Sequence, residues 1–401
     1  MDKLTAPLAE LLEDPDAVQD PVAILHWGKS GSYLLCSLLD GHPQALQNPF
    51  DSMFSYFYRE GQLFADRPDG TVAADEATRW AAANYDSIAG NRQPAVEARA
   101  AFLFFLGRIL SRCPNGLSRR YLFKAVHVAY AAARHKPLST RRPFLIWNLH
   151  VLQTPDVLLK LYPDIRFVTT VRFPEKALDS ELFTFCFQTR NLDAPEIVRR
   201  SLGGIFDRDT PILTDHVGLR FEDMHCRPEA TMRALAGWIG IDWAPSLIAS
   251  TIDGEDYYFS GQHVHTRPSA DPRGVTGFSP ERALDRSFSI MSPVDRLLFR
   301  LVLARQYQAW GYGSEASVCP ESLRGFIISL LAWRPLRAQT TMFASGLATA
   351  VRSRSKSAVK KVLQSYLAEI APTAELLRRK GRSDAGVLSV LQPMSGGDHG
   401  A

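Results

Sequence analysis

A strand that turns through a glycine-containing loop into a helix is the feature that most limits what this chain can fold into. The apolar residues 22–25 precede the loop, and the apolar run 34–39 follows it. In such a corner, backbone N–H groups and the positive end of the helix face one point, which suits a phosphate group. The loop itself consists of Gly28, Lys29, Ser30, Gly31, Ser32 and Tyr33. The sequence therefore predicts an anion site where this strand ends.

A second strand-to-helix corner lies in the middle of the chain. The apolar strand 167–171 ends at Arg172, and Pro174 then opens a helix that carries Ser180. An arginine can donate two parallel N–H bonds to a phosphate, and a serine can donate its hydroxyl. Two such corners on neighbouring strand ends predict a nucleotide ligand with two phosphate-bearing ends.

Strands alternate with helices along most of the chain. This alternation predicts an α/β fold of three layers, in which helices cover both faces of a parallel sheet. Ligands of such sheets bind at the carboxyl ends of the strands, where both corners fall. The predicted strands lie near residues 22–25, 121–130, 143–149 and 165–171, and the predicted helices near 75–112, 153–162, 174–190 and 293–310.

The two corners resemble the cofactor motifs of the sulfotransferases that use 3′-phosphoadenosine 5′-phosphosulfate (PAPS). In that family a Lys or Arg precedes Ser-Gly-Ser/Thr, as residues 29–32 do here. The second motif is an Arg, a Pro two residues on and a Ser eight residues on, which Arg172, Pro174 and Ser180 match. The family usually has Asp or Asn between the Arg and the Pro, whereas this chain has Phe173. The resemblance implies a P-loop NTPase-like fold.

The resemblance also implies a role for each matched residue. The loop N–H groups, from Gly28 to Tyr33, would hold the 5′-phosphosulfate, and Lys29 would stabilise charge on the bridging oxygen of the leaving phosphate. Arg172 and Ser180 would bind the 3′-phosphate, with Arg273 as a second clamp. We expect no metal, because the transferred sulfuryl group carries less charge than a phosphoryl group.

Transfer to a hydroxyl, or alternatively to an amine, also needs a general base, for which the sequence offers two candidates. His150 follows the predicted strand 143–149, close to where the cytosolic branch of the family has its catalytic His. Asp51 is the nearest acid to the first helix, in the region where other branches use a Glu. The sequence favours His150 and leaves Asp51 open.

Two other functions stay open at this point. The loop ends like the phosphate loop of a kinase, but Ala23 stands where the first glycine of that motif belongs. A kinase would depend on magnesium and bind ATP. A non-catalytic nucleotide-binding scaffold protein is the other alternative, and it would bind the cofactor without transferring anything.

Charge divides the chain into three predicted parts. Residues 1–314 form the sulfotransferase-like domain, 315–382 a helical extension, and 383–401 a flexible tail rich in Gly and Ser. The extension has twelve Lys or Arg against four Asp or Glu, while the whole chain has a net charge of only +4. We expect its basic helices to pack on the core, to contact a second copy of the chain, or to bind an anionic membrane surface.

The remaining expectations concern partners and location. The acceptor is expected to be a small molecule or glycan (a carbohydrate, lipid or secondary metabolite), and no nucleic-acid partner is expected. Five scattered cysteines form no Cys-x-x-Cys pair, which favours reduced thiols in the cytoplasm. Residues 1–20 are acidic and do not resemble a signal peptide, and no apolar stretch reaches the roughly 20 residues of a membrane-spanning helix.

Overall fold

The structure of the chain is a computed structural model. It describes residues 4–25, 28–48, 63, 70–89, 96–113, 116–149, 155–188, 197, 201, 205, 215–256, 278–285, 290–291, 293–313, 337–364 and 388–393. Within these residues the strands are β1 (Pro21–Leu25), β2 (Ala45–Gln47), β3 (Thr71–Val72), β4 (Leu117–Ser118), β5 (Phe144–Leu149), β6 (Arg166–Val171), β7 (His216–Arg220), β8 (Thr251–Ile252) and β9 (Glu255–Asp256).

Parallel strands form the central sheet in the order β2-β5-β1-β6-β7. The register places Ile24 of β1 opposite Asn148 of β5 and Val168 of β6. Because parallel strands all end at one edge, the residues that follow β1, β5 and β6 are brought together. The short strands β3 and β4 pair with each other, as do β8 and β9, and both pairs are antiparallel.

Helices cover both faces of this sheet. The described helices are α1 (Ala6–Leu11), α2 (Ser32–Asp40), α3 (Ala74–Ala83), α4 (Tyr85–Ile88), α5 (Val96–Leu110), α6 (Arg119–Ala133), α7 (Pro155–Leu161), α8 (Pro174–Leu182), α9 (Phe221–Cys226), α10 (Pro228–Ile239), α11 (Pro280–Asp285), α12 (Pro293–Val302), α13 (Ala304–Ala309), α14 (Arg337–Arg352) and α15 (356–364). A π-helical turn, Phe183–Gln188, continues α8. The predicted α/β class with helices on both faces of a parallel sheet is confirmed.

Alternation along the strands divides the core into two layers. Val22 and Ile24 of β1 face α2 and α10, while Ala23 and Leu25 face α5 and α6. All of these strand side chains are buried, as expected for a parallel sheet covered on both sides. The sheet is therefore a rigid platform with the phosphate loop at the end of its central strand.

The predicted strand at 121–130 is wrong, because these residues lie within helix α6. The Ser118 hydroxyl caps this helix by accepting the N–H of Tyr121 (3.1 Å). Every residue from 122 to 132 is buried, so the helix is not amphipathic and its sequence resembles that of a buried strand. Lys124 is buried as well and donates to two backbone carbonyl oxygens, a structural contact rather than part of the site.

Residues 388–391 lie along the outer edge of β7. The N–H of Gly218 donates to the carbonyl of Ser389 (2.7 Å), and the N–H of Leu391 donates to the carbonyl of Gly218 (2.9 Å). A Cβ atom on Gly218 would lie only 2.8 Å from the side chain of Val390, so the absence of a side chain permits this close contact. These residues belong to the stretch 383–401, for which the sequence predicts a flexible tail.

The basic extension is helical where the structure describes it, in α14 and α15. Gly346 of α14 lies against Val362 of α15, while Val351 and Leu363 are exposed. Among the described residues, no helix is both long enough and apolar enough to cross a membrane. The division into three parts and the partners of the extension stay predictions.

Candidate functional site

The loop between β1 and α2 has the backbone shape of an anion cradle. Lys29 has φ +55° and Gly31 has φ +98°, both in the left-handed region, and this turns successive N–H groups toward one side. A Cβ atom on Gly31 would lie 2.3 Å from the Phe221 ring, so only glycine fits there. Helix α2 begins at the next residue, Ser32, and its positive end adds to the field of the loop.

A buried hydrogen bond fixes this loop to the neighbouring strand. The hydroxyl oxygens of Ser30 and Thr170 lie 3.0 Å apart, and both side chains are buried. Thr170 lies in β6, two residues before Arg172. The second corner is therefore held at a constant distance from the first.

Arg172 brings the two corners into direct contact. Its Nη1 donates to the carbonyl oxygen of Lys29 (3.2 Å), and its guanidinium lies 4.7 Å from the centre of the Phe221 ring. The side chain is only 5% exposed. A buried guanidinium placed beside a loop of inward-facing N–H groups favours an anionic ligand with more than one charged group.

Phe173, the residue that departs from the family pattern, has a packing role. Its ring lies 4.2 Å from the ring of Tyr312, and its N–H donates to Oε1 of Glu222 (3.2 Å). The Tyr312 hydroxyl donates to the other carboxylate oxygen of Glu222 (2.6 Å). Where the family usually has a polar side chain, this chain has an aromatic ring that packs in a small cluster with Tyr312 and Glu222. This cluster holds the backbone after Arg172.

Burial controls the charges around Arg172. It raises the pKa of Glu222 above its ordinary value. Burial, together with the nearby Arg172, lowers the pKa of His225 to about 4, so this imidazole is neutral at pH 7. The His225 ring lies 4.4 Å from Phe221, on which Arg172 also packs. The guanidinium thus keeps its positive charge while the adjacent imidazole adds none.

The Lys29 side chain reaches the end of helix α8, the helix that carries Ser180. Pro174 is the first residue of α8, and Ser180 lies in the last turn of that helix, 7% exposed. The Lys29 ammonium lies 5.7 Å from the ring of Phe185, in the π-helical turn after α8. The loop lysine is therefore directed toward the part of the chain that follows Ser180.

Two buried amides lie at the carboxyl edge of the sheet. Asn48 directly follows β2 and Asn148 is near the end of β5, and each is 5% exposed. Among the described residues, neither their side-chain oxygen nor their side-chain nitrogen has a hydrogen-bond partner. Such atoms cost about 1–3 kcal/mol each when buried without a partner, so they are suited to bind a polar ligand.

The structure brings together most of the residues that the sequence predicted. Arg172 contacts the loop 28–33, and Ser180 lies on α8 next to Glu181, whose side chain lies against Gly28. His150, Asp51 and Arg273 lie outside the described residues. Sequence reasoning did not identify Phe221. This residue lies directly after β7, in a fragment that resembles the strand-turn-helix late in the core of the sulfotransferases: Leu219-Arg220-Phe221-Glu222-Asp223. An aromatic residue at a strand end beside two cationic motifs was the available signal.

The geometry fits a nucleotide such as PAPS. The cradle of N–H groups suits one phosphate, and the buried Arg172 suits another anionic group. Within the described residues, no group of His, Cys, Asp and Glu is arranged to hold a metal ion.

The chain matches the model of a known protein family over more than half of its length. The model of the Sulfotransferase family matches residues 21–245, a stretch that contains both corners. No curated protein matches the chain.

The solved structures to which the chain is similar include three sulfotransferases or sulfotransferase domains. The sulfotransferase domain of the Synechococcus PCC 7002 olefin synthase is 17% identical, with a TM-score of 0.37, and the match covers 69% of this chain and 90% of that domain. A sulfotransferase domain from the curacin biosynthetic pathway is 14% identical, with a TM-score of 0.35 and coverage of 58% and 78%. A sulfotransferase from Mycobacterium avium is 14% identical, with a TM-score of 0.29 and coverage of 60% and 70%. Because the family match covers more than half of its length, the chain belongs to the sulfotransferase family.

Proposed function

We propose that the chain transfers a sulfuryl group from PAPS, in line, to a hydroxyl of a carbohydrate, lipid or secondary metabolite. The contact between Arg172 and the Lys29 carbonyl carries this proposal, because it joins the two anion-binding corners into one site. PAPS, when bound, supplies an activated sulfuryl group and a good leaving group.

The described residues would each do part of this work. The N–H groups of residues 29–33 and the N-terminus of α2 bind and orient the 5′-phosphosulfate. The Lys29 ammonium stabilises negative charge on the leaving oxygen, which is the largest single contribution in reactions of this kind. Arg172 and Ser180 bind the 3′-phosphate and thereby select this nucleotide over ADP.

The buried amides support an acceptor that carries hydroxyl groups. Asn48 and Asn148 each offer an N–H donor and an oxygen acceptor that have no partner within the described parts of the chain. A hydroxyl both donates and accepts, so it satisfies such amides, while an apolar acceptor would leave them unpaired. The edge between β2 and β5 is thus proposed to bind the polar part of the acceptor.

We place the reaction in the cytoplasm on the basis of the cysteines. In the part of the chain that the structure describes, Cys36, Cys113 and Cys226 form no disulfide bond, and reduced thiols persist in a reducing compartment.

Calorimetry with 3′-phosphoadenosine 5′-phosphate (PAP), ADP and ATP tests the cofactor. We expect micromolar binding of PAP, with ADP and ATP at least tenfold weaker, because ADP and ATP lack the 3′-phosphate. Added magnesium should leave PAP binding unchanged. Equal binding of PAP and ADP, or a preference for ATP with magnesium, would overturn the proposal and favour a kinase.

Replacing the unpaired amide of Asn148 separates stability from acceptor binding. Asn148→Leu should raise the free energy of unfolding by about 1 kcal/mol, because it removes a buried polar group without a partner. The same change should lower kcat/KM for the acceptor roughly tenfold. It should leave PAP affinity unchanged, because Asn148 lies in β5, whereas the loop follows β1 and Arg172 follows β6. Chemical denaturation, acceptor kinetics and calorimetry measure the three quantities. A variant that is less stable, with unchanged kinetics, would refute this role for the amide.

A further inference from the structure

The chain that follows helix α13 folds back onto the second corner. Gly311 has φ +70° and turns the chain there, and the next residue, Tyr312, packs its ring on Phe173. Nη1 of Arg220 donates to the carbonyl oxygen of Gly311 (2.8 Å). A Cβ atom on Gly311 would lie 2.9 Å from that same nitrogen, so the left-handed turn suits a glycine. Arg220, at the end of β7, therefore holds this turn in a fixed place.

Glu222 joins the turn to the backbone that follows Arg172. Its buried carboxylate accepts the N–H of Phe173 through Oε1 (3.2 Å) and the Tyr312 hydroxyl through Oε2 (2.6 Å). Burial raises the pKa of Tyr312 well above its ordinary value, so the phenol keeps the proton that it donates. We call the contact of Glu222 with Phe173 and Tyr312 the Glu222 clasp. It holds the residue directly after Arg172.

The negative charge of Glu222 does not by itself favour an anionic ligand. Burial raises the pKa of this carboxyl, whereas the Tyr312 hydrogen bond and the positive charge of Arg172 act in the opposite direction. A carboxylate close enough to Arg172 for this effect weakens the attraction of the guanidinium for any anion. A benefit of Glu222 to nucleotide binding must therefore come from its hydrogen bonds.

We propose that Glu222 is a positioning residue that acts through Arg172 and sets the preference for a 3′-phosphate, an inference that rests on the proposed function. Two parallel N–H bonds to a phosphate require one orientation of the guanidinium. The Arg172 backbone continues directly into Phe173, whose N–H and ring are held by the clasp. Without the clasp the charge of Arg172 remains, but the paired donors lose their fixed direction.

The variant Glu222→Ala removes both hydrogen bonds together with the charge. We expect PAP affinity to fall roughly tenfold and ADP affinity to stay within about twofold, because the paired bonds to the 3′-phosphate are lost. Loss of the charge alone would instead tighten the binding of both nucleotides. Calorimetry with PAP and ADP measures both affinities. A lower melting temperature with an unchanged ratio of PAP to ADP affinity would reveal a merely structural role and overturn the proposal.

Glu222→Gln separates the position of this side chain from its charge. The amide oxygen can accept the Phe173 N–H, and the amide nitrogen can donate to the Tyr312 oxygen, so both contacts can persist. We expect the preference for PAP over ADP to be retained, with PAP affinity unchanged or a few-fold tighter. A loss of preference as large as in Glu222→Ala would contradict a role that depends on position.

Asp40→Ala is the matched control. Like Glu222, Asp40 is a buried carboxylate that accepts one hydroxyl and one backbone N–H, those of Thr251 (3.0 Å) and Gly254 (3.1 Å). Asp40 is the last residue of α2, whereas the phosphate loop precedes the first, so both nucleotide affinities should stay within a few-fold of the native values. An equal loss of PAP preference in the two variants would indicate general destabilisation and refute the specific role of Glu222.

A double variant tests whether Glu222 acts through Arg172. In the Arg172→Ala protein, the further change Glu222→Ala should alter PAP affinity by less than about twofold, because residues that act through one contact are not additive. A second loss of about tenfold would place the action of Glu222 elsewhere, against the proposal.

Tyr312→Phe is a milder change that keeps the ring against Phe173 and removes the hydroxyl. The ratio of PAP to ADP affinity should fall roughly threefold, the usual effect of one hydrogen bond. An unchanged ratio would overturn the proposal even where Glu222→Ala fails to fold. If the native protein binds PAP no better than ADP, the proposed function itself has failed, which is a different result.

Discussion

Replacing Lys29 with alanine is expected to lower kcat by roughly 10²–10³-fold, which is the usual cost of removing one donor that stabilises transition-state charge. The loop backbone should survive, because alanine keeps the Cβ atom and therefore the same cost of the left-handed φ at residue 29. PAP affinity should fall less than kcat, since the N–H groups of the loop remain. Single-turnover kinetics and calorimetry separate the two effects.

Lys29→Arg and Lys29→Gly are informative controls. The arginine variant keeps a positive charge and should recover part of the rate. The glycine variant removes the cost of the left-handed φ but does not restore the charge, so its kcat should stay low. A kcat within tenfold of the native value in Lys29→Ala would show that the lysine does not act on the leaving group.

Replacing Arg172 with alanine is expected to weaken PAP binding by roughly 10- to 150-fold, the equivalent of about 1.5–3 kcal/mol for a charge-assisted contact. ADP binding should change little, because ADP lacks the 3′-phosphate that Arg172 is proposed to bind. Calorimetry with both nucleotides measures the difference.

The contact of Arg172 with the Lys29 carbonyl makes a second result informative. If PAP and ADP lose affinity equally in Arg172→Ala, the guanidinium supports the loop and does not select the 3′-phosphate. Arg172→Lys keeps the charge but not the paired donors, so it should resemble the alanine variant for PAP selectivity.

The sequence predicted the backbone around the candidate site well where local chemistry dictates it. The loop and its helix could be read from Gly31 and the apolar runs beside it, and the start of α8 from Pro174. Both are local features, since glycine permits a left-handed turn and proline favours the first turn of a helix.

Sequence reasoning failed where burial removes the periodic pattern. Helix α6 is apolar on all sides, and its Val and Tyr residues suggest a strand as readily as a helix. Only its place in the core, against α5 and the sheet, distinguishes the two. The run of alanines at its end was the available sign of a helix.

Specific side-chain contacts between distant parts of the chain could not be predicted. Glu181 is one of three acidic residues on a single helix, and no spacing rule says which of them reaches Gly28. The same holds for the packing of Arg172 on Phe221, which depends on how β6 and β7 align. These contacts are set by the register of the sheet rather than by neighbours in the sequence.

The central position of β1 has a consequence for biosynthesis. The ribosome synthesises β1 before the other four strands of the central sheet. Because β1 pairs with β5, from Leu145, and with β6, from Arg166, it cannot form its hydrogen bonds until both strands have been synthesised. At the usual pace of translation the delay is roughly ten to thirty seconds. During that time the apolar strand β1 has no pairing partners, so the nascent chain should depend on chaperones until residue 171 has left the ribosome. The phosphate loop can acquire its shape only after that point.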